Sequence, residues 1–171
     1  MKKLLMIAMV ALMLPLMPAQ ARKFNYSQVS ELIWEYKSNQ DFNVVNVGGL
    51  GLSLMRAAVR SEGNDEDARI ALSFLKSVKH ITVVEYDSCE QSLRDEFTAK
   101  LDAVLNGCDM LMDVHDEDSQ MTVYGTMTKD GETLKNLVLY APKDSAVICI
   151  EGNLDVKDLS YIVEDAKKKN K

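Results

Sequence analysis

Residues that usually announce chemistry are scarce in this chain. It has three cysteines, two histidines and one tryptophan in 171 positions, and aromatic residues make up only 6%. The cysteines form no Cys-x-x-Cys pair and allow at most one internal bridge, which excludes a disulfide scaffold. Cys89 and Cys108 flank a predicted helix. At about 1.5 Å per residue their separation comes to well over 20 Å, against the roughly 7 Å a disulfide tolerates. Cys149 falls inside a strand pattern and could meet either Cys89 or Cys108, but a cysteine there more often behaves as a small buried apolar residue, so free thiols are expected. His80 and His115 start and end different strands and predict no two-histidine metal site. The chain has no His-Glu-x-x-His or Gly-x-Ser-x-Gly, and no cysteine with a histidine close in sequence. No catalytic residue and no cofactor therefore follow from the motifs. Long apolar runs are missing too: Leu4 to Met17 is broken by Pro15 and falls short of the ~20 residues that cross a hydrocarbon core.

That short run has another reading. Lys2 and Lys3 precede it, and Pro18 introduces Ala19-Gln20-Ala21, whose small side chains suit signal peptidase. Residues 1 to 21 are expected to be a secretory signal peptide cleaved after Ala21. Residues 22 to 171 then form one domain, periplasmic or secreted, with no transmembrane segment. A mature chain of 150 residues can bury roughly 68–70% of its unfolded surface without staples. The leader removes two lysines and no acid, leaving 18 basic against 26 acidic residues, so the net charge moves from −6 to −8. Such a surface repels phosphate backbones and anionic headgroups, which argues against nucleic-acid partners and electrostatic membrane docking. Lys167, Lys168, Lys169 and Lys171 complement the end of a predicted helix.

Periodicity then sets the elements. Val29, Leu32, Ile33 and Tyr36 repeat at helical spacing, with Asn25 or Ser27 as cap. Phe42 to Val47 reads as a strand, followed by helices over about Ser53 to Arg60 and, capped by Asp65 or Asp67, through Ala71, Leu72 and Leu75. His80 to Tyr86 is β-branched and apolar, a buried strand. Leu93, Phe97, Leu101, Val104 and Leu105 give one face to a helix from Glu90 to Leu105. Ser88 with Gln91 is expected to cap it, and Asn106-Gly107 to end it. From Asp109 the period becomes two. Strands are expected through Val114, from Met121 to Thr128, from Thr133 to Tyr140 and from Ala146 to Glu151. Asp130-Gly131 predicts a two-residue hairpin turn with positive φ at both positions. A helix capped by Asp155 and carrying Val156, Leu159, Ile162 and Val163 is expected to close the chain. The order predicts an α+β fold: a two-layer sandwich of mainly antiparallel sheet, including a C-terminal four-strand meander, with helices packed on one face.

The C-terminal half resembles a family known as domain of unknown function 4252, small exported proteins of Gram-negative bacteria. Three stretches carry the likeness: Leu111-Met112-Asp113-Val114; the Asp130-Gly131 hairpin leading into Leu137-Val138-Leu139-Tyr140; and Ile150-Glu151-Gly152-Asn153-Leu154-Asp155 leading into Leu159-Ser160. The resemblance implies an exported protein and brings no activity, ligand or catalytic residue with it. Many members carry a lipid-attachment cysteine at the cleavage site, where this chain has Arg22.

Four candidate sites remain. Gly48-Gly49-Leu50-Gly51 sits between strand and helix, as phosphate-binding loops do, but lacks the third fingerprint glycine and any Gly-Lys-Ser/Thr, so it reads as a plain turn. Asp113, Asp116, Glu117 and Asp118 offer hard oxygens to calcium without EF-hand spacing, as does the acidic loop from Glu62 to Asp67. Thr122, Tyr124, Thr126 and Thr128 alternate with apolar residues and are expected to form an open sheet face that is wet or meets a partner. The function expected is non-catalytic binding of an envelope protein or ligand, or self-association. The alternatives are a small hydrolase-like enzyme using carboxylates, Cys149 or Cys108, and a calcium-stabilised structural protein.

Overall fold

A computed structural model describes residues 25–62, 66–106, 108–115 and 120–158. The Asn25 side chain accepts from the Ser27 amide at 3.2 Å and starts α1, Tyr26–Tyr36, which buries Val29, Leu32, Ile33 and Tyr36 as its spacing predicts. After β1, Asn43–Val47, come α2, Gly49–Glu62, and α3, Glu66–Ser77. Arg56 of α2 reaches across and donates to the carbonyls of Leu75, at 2.9 Å, and Val78, at 3.4 Å. It thereby satisfies acceptors that the end of α3 leaves open. Then follow β2, Val78–Glu85; α4, Gln91–Leu105; β3, Met110–His115; β4, Gln120–Met127; β5, Thr133–Ala141; and β6, Ala146–Asp155.

All six strands pair antiparallel in the order β1-β2-β6-β5-β4-β3. The α+β class, the antiparallel sheet and the meander of its last four strands are as expected. On one face, α1 and α4 cover a cluster that includes Val84, Tyr86, Val138, Tyr140, Val147 and Cys149. To this expected layer the structure adds α2 and α3 on the other face, beside β1, β2 and β6. There Leu52 and Leu75 join Val78, Met121, Val123, Leu137, Leu139 and Leu154 in a second cluster.

Local signals differ from expectation at two points. The N-cap of α4 is Glu90, with no side-chain cap bond, and the Ser88 hydroxyl donates to Asp87 instead, so the expected capping box does not form. The β4–β5 hairpin exists but is wider than two residues. Thr128 and Thr133 close it through a 2.8 Å backbone bond, and of Asp130 and Gly131 only the glycine takes positive φ, 74°. The Asp130 carboxylate explains this, because it accepts from the Thr128 hydroxyl at 2.6 Å and the Glu132 amide at 3.0 Å and braces a longer loop. The expected C-terminal helix residues Leu159, Ile162 and Val163 lie outside the described residues, as do residues 1 to 21.

Gly152 lies in β6 opposite the end of α3, and a Cβ there would collide with the backbone of Ser77 and Val78. A Cβ at Gly49 would meet nothing within 4 Å. Gly152→Ala is therefore expected to lower unfolding free energy by about 1–3 kcal/mol through forced backbone movement. Gly49→Ala is expected to leave it unchanged or slightly raised. Urea denaturation midpoints of the two variants check this.

Candidate functional site

Two β-bulges shape one end of the sheet. The pairing of β5 slips between Lys135 and Leu137 against β6, and that of β4 slips between Gly125 and Thr126 against β5. Asn136 occupies the β5 bulge in the left-handed region, φ 51°, and its Oδ1 accepts from the Gly152 amide at 3.1 Å. A short polar side chain that bonds locally tolerates that conformation. The bulge re-aims Lys135 and Asn136, and with them Thr126, Thr128, Lys129 and Glu151 face the first two turns of α1 across an open cleft of about 880 Å³. Asn25, Tyr26, Ser27, Ser30 and Glu31 form its other wall. Its volume falls in the ~300–1,000 Å³ of small-ligand sites. A second recess near Trp34 and Lys37 holds only about 10 Å³, room for one water at most.

The four residues of the expected open face are divided by the structure. Thr126 and Thr128 line the cleft. Thr122 is buried, with its hydroxyl donating to Asp113 Oδ1 at 2.8 Å, and Tyr124 packs half-buried against the cluster under α1 and α4. An open face is therefore corrected for these two. Helices cover the polar side of the alternation as well. Thr128 also spends its hydroxyl on Asp130 and Thr133 and serves the hairpin that forms the rim. Of the acidic cluster, Asp113 is exposed on β3 and accepts from Thr122, while Asp116, Glu117 and Asp118 lie outside the described residues. Among the described residues no group of three metal-ligating side chains comes together. Only Gly48 separates β1 from α2, which begins at Gly49 rather than near Ser53, so the turn expected over Gly48 to Gly51 shrinks to one residue, with His80 packed against it.

A family model described as a domain of unknown function (DUF4252) matches residues 36–162. The chain belongs to that family. No curated protein and no solved structure matches it. The match to DUF4252 begins at the last residue of α1, so the α1 wall of the cleft, Asn25 to Glu31, lies before the matched region, while the strand wall lies within it.

The cleft of this DUF4252 chain has a mixed lining, with Met127 and the Tyr26 ring beside polar groups. Hydroxyl, amide, ammonium and carboxylate groups line it, with Lys129 and Lys135 balanced by Glu31 and Glu151. Burial, aided by Cys149 and Glu151, holds the Tyr26 phenol protonated well above the ordinary tyrosine range. The sequence reading missed the α1 wall, because which helix end meets which hairpin depends on sheet order. The one legible signal was Asn25 as cap.

The thiols are free and mostly sealed. Cys149 is 2% exposed, and burial pushes its pKa up to about 12. Burial likewise raises Cys89, whose thiol donates to the Asp41 carbonyl at 3.3 Å. A thiol kept neutral is a poor nucleophile, so Cys149 does not serve the hydrolase reading. In the folded chain at pH 8 Cys108 is expected to react with a thiol reagent first, with Cys89 and Cys149 reacting only after unfolding. The pH dependence follows from the same burial: the unfolded thiol ionises near 9 and the folded Cys149 near 12, so stability is full below pH 9 and falls between the two. Thermal melts of Cys149→Ala across that window are expected to fall less steeply with pH than those of the natural chain.

Proposed function

We propose that this chain is an exported binding module of the cell envelope, with a cleavable leader at residues 1 to 21 and a single working domain over residues 22 to 171. The cleft between α1 and the β4–β5 hairpin receives its ligand or protein partner. One observation carries the reading: a cleft of about 880 Å³ whose lining mixes hydrogen-bond donors and acceptors and balances two lysines against two glutamates. Small-molecule and peptide sites combine concavity with a few converging polar groups in this way. The balanced charge favours a polar or zwitterionic ligand over a polyanion, in keeping with the charge of −8 left when two leader lysines are taken from the −6 of the whole chain. Lys2, Lys3, the apolar stretch to Met17 and Ala19-Gln20-Ala21 support the export half of the proposal.

Both halves are open to direct test. Fractionation of expressing cells is expected to place a product beginning at Arg22 outside the inner membrane; an uncut chain in the cytosol contradicts export. A photo-crosslinking residue at Thr126 is expected to yield a discrete adduct in intact cells, and the same residue at exposed Asp95 on α4 is expected to yield none. Equal labelling at both positions contradicts the cleft.

A further inference from the structure

Away from the cleft, α2 leaves a second surface unexplained. It turns Leu52 inward, 1% exposed, with Val59 packed beside it and Arg56 tied to α3. On its opposite side Leu50 is 87% and Leu54 is 72% exposed, and Ala57, Ala58 and Ser61 continue the same line of the helix in the open. Residues at i, i+4, i+7 and i+11 share one face, so this is a continuous stripe facing solvent. Met55 extends it at one flank, 43% exposed.

We propose that a second copy of the chain docks on this stripe, α2 against α2 in antiparallel sense across a two-fold axis. The stripe changes size along its length, with leucines in its first half and Ala57, Ala58 and Ser61 in its second. Antiparallel pairing about an axis between Leu54 and Ala57 sets the bulky half of each helix on the small half of the other. Leu54 then meets Ala57 of the second copy, and Leu50 meets its Ser61. Such self-complementarity is what an isologous contact requires. Charge permits it as well. Arg56 is drawn down to the Leu75 and Val78 carbonyls, and the two Arg60 side chains project from helix positions about 13 Å apart along the axis, beyond the ~8 Å screening length at physiological salt. A mature chain of net charge −8, the −6 of the whole sequence less two leader lysines, would meet more repulsion if it paired through its acidic α4 surface, where Glu90, Asp95, Glu96 and Asp102 are all exposed. The stripe is small, which favours weak association. An apolar patch of this kind is on the order of 400 Å², half of the ~800 Å² per partner in a standard interface, so the dimer is a weak one, dissociating at tens of micromolar.

Sedimentation equilibrium of the chain as purified from its producing cells, from ~1 to ~200 µM, tests this. The mean mass is expected to climb towards twice the monomer, and Leu54→Glu, its fold verified by circular dichroism, is expected to weaken association at least tenfold. In a Cys108→Ser background, Leu54→Cys is expected to oxidise to a linked dimer while Asp95→Cys does not. A monomer throughout the range, a dimer indifferent to Leu54→Glu, or equal crosslinking at both positions overturns the proposal. So does a monomer that binds phosphatidylcholine vesicles through Leu54, since that assigns the stripe to a lipid surface.

Discussion

Four rings hold the helix layer that the cleft depends on. Phe97 of α4 meets Tyr36 of α1, Phe42 ahead of β1 and Tyr86 at the end of β2, with centroids 4.8–5.1 Å apart and planes tilted by 66–75°. Phe42 and Tyr86 stack at 5.8 Å. Edge-to-face contacts of this kind add about 0.5–1.5 kcal/mol per pair beyond the area they bury. Their larger effect is geometric. They fix α1 relative to α4 and to the sheet, and the first turns of α1 are one wall of the cleft. Outside the rings, Tyr36 donates to Glu96 at 2.7 Å, and Lys100 bridges Glu35 and Glu96 at 3.1 and 3.0 Å. Those exposed ions add little to stability, but they continue the seam between the two helices.

The strands were legible because their side chains alternate, and α1 and α4 because apolar residues recur at three and four. Phe97, Leu101 and Leu105 were named as a face and are buried. The direction each strand face looks was not legible. Thr122, Tyr124, Thr126 and Thr128 are polar enough to read as solvent-facing, yet α1 and α4 lie over that side, and Thr122 is satisfied by Asp113 from the neighbouring strand. A polar residue with a cross-strand partner can be buried at little cost, and the partner is visible only once the register is known. The cleft was obscure for the same reason. It needs the left-handed Asn136, two bulges, and β2 inserted beside β6, three facts of pairing rather than of pattern.

Cys89 and Cys149 sit where packing needs small apolar atoms, and burial keeps their thiols protonated, whereas Cys108 is only half-buried. In the cleft, Lys129 and Lys135 stand with Glu31 and Glu151 beside hydroxyl and amide groups. Gly152, pressed against the end of α3, lets the second helix layer approach the sheet without disturbing the bulge that Asn136 anchors from the other strand.

The most direct test of this account is amide hydrogen exchange on Phe97→Leu, which keeps an apolar side chain but removes the ring contacts. Protection is expected to fall together in α1 and α4 while the β2–β6–β5 ladder keeps its own, showing that the rings hold the cleft wall in place. If α4 alone loses protection and α1 stays as slow as in the natural chain, the aromatic cluster does not position that wall and the account fails.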